Sequence, residues 1–500
     1  MTGVNKRFGA VQANGDVSLS VRRGTVHGIV GENGAGKSTL MSVLYGFYQA
    51  DSGQIEVFGQ PAHIRHADDA IRLGIGMVHQ HFMLVDTLTA LENVMLGAEP
   101  HWLLQRADAQ VRRRLTELMH STGLNVRLDV PVHDLPVGDR QRLEILKALY
   151  RGARILILDE PTAVLTPQET EQLFGVLRVL REQGTTVLLI THKLKEVMSL
   201  CDEVTVMRAG RVVEALPIAS ASVEGLAQAM VGRKVAMGRT GDTARPPGEV
   251  RLQARKISVR DALGVARLSA VDISLRAGEI VGVAGVSGNG QSELLDILCG
   301  LAVPDQGQLQ LGDRLFEAGA WLDPRRAREL GLAHVPEDRH ARAMVMDFAA
   351  WESAVLGYEG QPQYARAGWM RHGGMQAATA ALMERFDVRP RNVFLQSSNF
   401  SGGNQQKLVL ARELGQAPRI LLVGQPTRGV DIGAIEFIYE RLRQLRDGGC
   451  AVLLVSSELD EILALSDRVL VMNQGRIAGE LAIAECTEAR LGMLMTGSKA

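Results

Sequence analysis

The run Gly31-Glu32-Asn33-Gly34-Ala35-Gly36-Lys37-Ser38-Thr39 has the residue types needed to hold a triphosphate. Gly31, Gly34 and Gly36 permit a tight curl that aims backbone N–H groups at phosphate oxygens, with Asn33 inside the curl. Lys37 brings a charge to the β- and γ-phosphates, and Ser38, followed by Thr39, brings a hydroxyl to Mg2+. Downstream, the apolar run Ile155-Leu156-Ile157-Leu158 ends in Asp159-Glu160. A strand that delivers two carboxylates to its C-terminal end makes a metal and water site. Asp159 is placed to hold Mg2+ through water, and Glu160 to polarise the attacking water. These groups predict metal-assisted hydrolysis of a nucleoside triphosphate.

The same pattern returns in damaged form. Gly285-Val286-Ser287-Gly288-Asn289-Gly290-Gln291-Ser292 repeats the loop at an offset of 254, with Gln291 where Lys37 stood. Ile420 to Thr427 repeats Ile155 to Thr162 at an offset of 265, with Gly424 for Asp159 and Gln425 for Glu160. A period this long makes each repeat a whole domain rather than a solenoid unit. The predicted map is residues 1–236, a linker over 237–249, and residues 250–500. Met237 to Gly248 is rich in Gly, Thr, Arg and Pro and has no hydrophobic periodicity, as a linker requires.

The elements that must position these residues alternate. Val26 to Val30, Thr186 to Thr191 and Ala451 to Ser456 read as buried parallel strands. Ser38 to Gly46 reads as the helix that follows the first loop, so the loop lies between strand and helix, as a phosphate loop requires. Thr166-Pro167-Gln168-Glu169 is a helix start, with Thr as N-cap and Pro at N1. Leu173, Val176, Leu177 and Leu180 then line one face until Gly184; Ile435, Ile438, Leu442 and Leu445 repeat this before Gly448. Strands alternating with helices predict an α/β fold with a parallel sheet covered on both faces.

The chain has 500 residues, 46% hydrophobic and 22% charged, in the range of soluble globular proteins. Its 55 basic and 56 acidic side chains leave a net charge of -1, which argues against a general nucleic-acid binder. No apolar run approaches the roughly 18 residues of a membrane span, and Met1 to Gly9 lacks the apolar stretch of a signal peptide. Those features predict a cytoplasmic protein, held at a membrane only by a partner. Cys201, Cys299, Cys450 and Cys486 have no metal or redox spacing and read as buried hydrophobes. His79 and His81 flank Gln80 without a third metal ligand.

The order of phosphate loop, Gln80, a signature-like segment, Asp159-Glu160 and His192 resembles an ATP-binding-cassette ATPase, twice over nearly the whole chain. The resemblance implies two tandem P-loop domains, each a RecA-like parallel-sheet core with a helical subdomain and a small antiparallel β subdomain. It implies ATP and Mg2+ as cofactors. Gln80 would link metal and γ-phosphate to a transmembrane partner, and would itself ligate the metal. His192, after Leu188-Leu189-Ile190-Thr191, would contact the γ-phosphate, and Phe8 would stack on adenine.

In such ATPases two cassettes face head to tail, and each ATP lies between one phosphate loop and the other cassette's Leu-Ser-Gly-Gly-Gln signature. The second copy carries a good signature, Phe400-Ser401-Gly402-Gly403-Asn404-Gln405, whose Ser401, Gly402 and Gly403 would bind the γ-phosphate. The first copy is eroded to Leu135-Pro136-Val137-Gly138-Asp139. Pro136 lacks both hydroxyl and N–H, and Val137 adds a side chain where phosphate must come close. The second copy also loses its own catalytic groups: Gln291 replaces lysine, Glu337 the loop glutamine, Gly424 the aspartate, Gln425 the glutamate and Ser457 the histidine. Paired across such an interface, every defect falls on one composite site, formed by Gly288, Gly290, Gln291, Ser292 and Glu337 with Pro136 and Gly138. Random decay would have scattered the defects.

The tandem layout and Val335-Pro336-Glu337-Asp338-Arg339 resemble the fused ATPases of bacterial simple-sugar importers. Met77 to Val85, Gly288 to Ser292 and Thr162 to Thr166 are most similar to the nucleoside branch. That resemblance implies two integral-membrane permease subunits as partners, touched by residues of about 82–100 and 338–357, and an extracytoplasmic binding protein acting indirectly. It places the chain peripherally on the cytoplasmic face of the cell membrane, driving uptake of nucleosides or, alternatively, of ribose, galactose or xylose. Soluble tandem cassettes that act on ribosomes share the layout, but have two intact sites and a long charged linker.

Overall fold

The computed structural model describes residues 1–9, 11–80, 82–98, 108–162, 165, 167–233, 246–286, 288–430 and 432–496. The chain divides into two compact units, Met1–Val235 and Ala236–Ala500. Within the first unit lies a six-stranded sheet in the order Arg211–Pro217, Glu203–Arg208, Val26–Gly31, Thr186–Ile190, Ile155–Asp159, Ile75–Val78. All neighbours are parallel except the first pair, which is a hairpin. Val26–Gly31 and Thr186–Ile190 are buried at every position, which is why they read as largely apolar runs, interrupted only by the buried His27 and Thr186, rather than as alternating ones. The register pairs Asp159 with Ile190, so the strand that ends in the acid lies beside the one leading to His192.

A small antiparallel sheet (Val11–Val17, Thr2–Phe8, Ser52–Gln54) and a group of helices complete this unit. The helices Ala90–Met95, Asp108–Thr122 and Val137–Tyr150 bury Val94, Val111, Leu115, Leu143 and Leu146 in a core of their own. Thr89 starts the first of them with a capping box closed by Glu92.

The second unit repeats the plan. Its sheet runs Leu332–Val335, Ile420–Gly424, Ala451–Val455, Ile280–Ala284, Arg468–Asn473, Arg476–Ala482, with a four-stranded antiparallel sheet built on Val250–Arg260 and Ala266–Arg276. The helices Ala350–Val355, His372–Arg385 and Gly402–Leu414 form its helical part.

Several sequence-based bounds shift by a residue. The helix after the first loop is Lys37–Tyr45, because Gly46 takes a left-handed φ of 87° and ends it. The second long helix, Ile432–Asp447, is closed by Gly449 at φ 90°, not by Gly448. Gly448 stays out of the left-handed region. Cys201, Cys299 and Cys450 are buried, whereas Cys486 is half-buried at the edge of its unit. Gly248 and Glu249 already pair with Ala277 of the second unit, so the linker is shorter at that end than its composition suggested. Its residues 237–245, the N-cap Thr166, His81 and Ser287 lie outside the described residues, as do Ala163 and Val164. Among the described residues, no helix is long and apolar enough to cross a membrane.

Candidate functional site

In the first unit the loop between Val26–Gly31 and Lys37–Tyr45 is a backbone cradle. Gly36 sits at φ 92°, and a Cβ there would lie 2.3 Å from the carbonyl oxygen of Ala13. Only glycine fits both the conformation and the space. The buried Asn14 fastens the turn by donating to Gly36 O at 3.0 Å. Lys37 is itself buried and folds its ammonium onto the carbonyls of Gly31 (2.7 Å) and Glu32 (3.0 Å). Burial lowers its pKa; Glu160, Asp159 and Glu32 act the other way. Asn33 and Gly34 are exposed at the tip of the loop, and Ser38 is exposed just inside the helix.

Asp159 is buried, and burial raises its carboxyl above the usual range; the Ser38 hydroxyl beside it opposes the shift. Glu160 follows in a left-handed backbone conformation, φ 47°, uncommon for a non-glycine residue. Burial acts to raise Glu160, but the hydrogen bond from His192, with the charges of His192, Lys37 and Lys193, leaves it below the ordinary value. His192 Nδ1 donates to Glu160 Oε1 at 2.9 Å, and Gln80 Nε2 donates to Oε2 at 3.3 Å. Both oxygens of one carboxylate are thus aimed by side chains from two other strand ends. Such a group is ready to orient water.

Phe8 lies at the rim, 42% exposed, edge-on to Tyr48 with ring centroids 5.0 Å apart and Lys6 over its face. Among the described residues no cluster of three His, Cys, Asp or Glu side chains could hold a metal alone. Ser38, Asp159 and Gln80 offer too few charged donors by themselves, so an Mg2+ ion fits here together with phosphate oxygens. His79 packs against Phe47 and Tyr45, a structural role rather than a ligand's.

In the second unit the backbone survives and the chemistry does not. Gly288 and Gly290 keep left-handed φ values of 89° and 102°, and Gln425 repeats Glu160 at φ 48°. Gln291 turns its amide to Val286 O at 3.1 Å. The Ser292 hydroxyl, where a metal would bind, donates instead to Glu337 at 2.7 Å. Ser457 donates to Gln425 at 3.1 Å, so a neutral pair stands where the first unit has histidine and carboxylate.

The signature segments differ as well. Ser401 begins the helix Gly402–Leu414, and Asn404 donates to its hydroxyl at 2.8 Å. In the first unit Pro136 precedes Val137–Tyr150, and a Cβ on Gly138 would lie 2.6 Å from Glu169 Oε1. A carboxylate thus crowds the start of this helix. Tyr48 carries no motif that sequence could flag, and Glu169, read in the sequence only as part of a helix start, reaches Gly138 through the fold. Asn14 was equally silent.

Fold and site together define a P-loop ATPase built of two cassettes. The family described as ABC transporter matches residues 15–163 and 268–428. The chain is 42% identical over 497 residues to the nucleoside import ATP-binding protein NupA of Lactococcus lactis subsp. cremoris, covering 99% of this chain and 97% of that protein. It is 43% identical over 498 residues to the guanosine import ATP-binding protein NupO of Bacillus subtilis, covering 100% and 97%. The chain therefore belongs to the ABC transporter family, as an ATP-binding subunit with ATPase activity. In fold it also matches the archaeal ribosome recycling factor aABCE1, with a TM-score of 0.67 over 98% of this chain and 92% of that one, at 18% identity.

Proposed function

We propose that the chain is the motor subunit of an importer that energises uptake of nucleosides through two membrane permease subunits. One composite site hydrolyses ATP: the phosphate loop, Glu160 and His192 of the first unit act with Ser401, Gly402 and Gly403 of the second. The other composite site, with Gln291, Glu337, Gly424, Gln425 and Ser457 facing Pro136 and Gly138, is degenerate. The observation that carries this reading is the sorting of the substitutions. Every catalytic group is in the first unit, and the intact signature is in the second.

In the working site the backbone N–H groups of Asn33 to Thr39 and the Lys37 ammonium hold the phosphates of ATP. Phe8, with Tyr48 at its edge, offers an apolar face to adenine. Ser38, Asp159 and Gln80 would hold Mg2+, which supplies charge neutralisation on the phosphate oxygens. Glu160 orients and polarises water, His192 reaches toward the γ-phosphate, and Gln80 relays the state of the site toward the permease. Residues of about 82–100, of which 99 and 100 lie outside the described residues, and 338–357 are the proposed permease-facing surface, and an extracytoplasmic binding protein would deliver the substrate. Attachment to the membrane is peripheral and runs through the permeases. The nucleoside assignment rests on the full-length similarity to nucleoside and guanosine import proteins.

Uptake of labelled purine nucleosides, ribose and galactose in a deletion strain, complemented with wild type or Glu160→Gln, tests it. Wild type alone is expected to restore nucleoside uptake. Restored sugar uptake instead would keep the motor and change the cargo, and no restored uptake would remove the transport role.

A further inference from the structure

The second unit has lost its own hydrolytic groups, yet the segment after Glu337 is tightly built. The Asp338 carboxylate caps the short helix Arg339–Arg342, accepting from the N–H of His340 at 2.9 Å and of Ala341 at 3.0 Å. This directs Arg339 and His340 onto the first turn of the signature helix. His340 Nε2 donates to Gln405 Oε1 at 2.9 Å, and Arg339 Nε approaches the same oxygen at 3.4 Å. Gln405 is buried and donates in turn to Ser397 O at 2.9 Å. Arg339 Nη1 donates to Arg428 O at 2.9 Å, in the loop after the second Pro-Thr. Nη2 lies over Gly402, where a Cβ would come within 2.8 Å of it and 3.1 Å of Gly429 O.

Arg339 therefore joins three pieces: the segment after Glu337, the start of the signature helix, and the Arg428-Gly429 loop. The first unit has no equivalent. Phe82 stands in the place of Arg339 and Val137 in that of Gly402. Arg140, in the place of Gln405, turns back onto Leu135 O and His133 O. The guanidinium and the bare glycine occur together in one unit and are replaced together in the other.

We infer that Arg339, supported by His340, is a positioning residue for the intact signature: it holds Ser401-Gly402-Gly403 and the Arg428-Gly429 loop in one fixed relation. The inference rests on the composite-site reading above. A signature held this way binds the γ-phosphate alike in ground and transition states, so its loosening acts mainly on KM. It also explains why the degenerate unit keeps an ordered loop after Glu337: that loop serves the site it does not catalyse.

The test is ATP hydrolysis by the full chain assembled with its membrane subunits, for wild type, Arg339→Ala, Arg339→Lys and Ser401→Ala. Arg339→Ala is expected to raise KM for ATP by about 10-fold with kcat within about threefold, and with the thermal midpoint unchanged. Arg339→Lys, which can reach one acceptor but not bridge two, should fall between. A normal KM in Arg339→Ala beside an impaired Ser401→Ala overturns the inference and leaves the composite site standing. A fall in kcat that tracks a lower thermal midpoint, unrelieved by lysine, reduces Arg339 to a fold-stabilising role and overturns it too. An unaffected Ser401→Ala removes the composite site itself, and the inference with it.

Discussion

Glu160 and Gln425 occupy the same left-handed backbone conformation at the ends of equivalent strands, and differ by one charged oxygen. In the first unit that oxygen receives a hydrogen bond from His192 at 2.9 Å; in the second the amide accepts from Ser457. The second copy thus keeps the backbone geometry of the turn proposed to be catalytic, with an amide in place of the acid. Removing a positioned general base costs roughly 10² to 10⁴ in rate. Glu160→Gln should lower turnover by about 10²-fold or more, and Gln425→Ala should change it little, both read as phosphate release. Similar losses from both would contradict the one-site reading. Lys37, Ser38 and Asp159 could be proposed from the sequence because each belongs to a motif whose spacing its chemistry dictates, whereas Phe8 and His192 entered only through the family resemblance. Tyr48, Asn14 and the contact of Glu169 with Gly138 could not be, since these contacts join residues far apart in the chain.

At the scale of elements, the two units also differ on the helix that follows the strand ending at Ile190 or Val455. In the first, Glu196 accepts from the Thr162 hydroxyl at 2.7 Å and has Lys193 within 3.6 Å. In the second, Glu461 holds the place of Glu196 on the helix Leu459–Leu465, and Glu458 stands where the lysine was. Burial pushes Glu461 up to about 7 from the ordinary 4.5, against the pull of the Ser456 and Thr427 hydroxyls, with Glu458 adding to the rise. A carboxyl whose pKa is raised on folding favours the folded state while protonated. Its contribution is complete at acid pH and is lost as pH climbs from the usual carboxylate range through about 7. The difference corresponds to about 3 kcal/mol at higher pH. Glu461→Gln should therefore raise the unfolding midpoint of the second unit at pH 8 and leave it nearly unchanged at pH 4, as scanning calorimetry would show. Equal effects at both values would mean the glutamate is not the titrating group.

For the whole molecule, each unit has its own cores, with the helical part of the first packed around Val94, Val111 and Leu143. Residues 1–236 produced alone should thus fold, but with a kcat/KM for ATP at least about 10²-fold below that of the intact chain, because the phosphate-facing donors of Ser401 to Gly403 are gone. Adding residues 237–500 in trans should restore part of that rate. A first unit that is fully active alone would show that Ser401 contributes nothing.

The sequence by itself determined the repeat, the alternation of strand and helix, the phosphate loop and the two acids proposed for hydrolysis, because each is a local pattern set by spacing or by chemistry. It also showed which copy had lost which group. Tertiary structure alone decided where Gly46 and Gly449 end their helices, since that depends on which glycine reaches a left-handed φ. It decided that Glu160 is gripped at both oxygens, that Glu169 crowds Gly138, and that Arg339 ties the signature helix to the loop after the second Pro-Thr. Each of these is a contact between distant segments, and burial rather than spacing sets its strength.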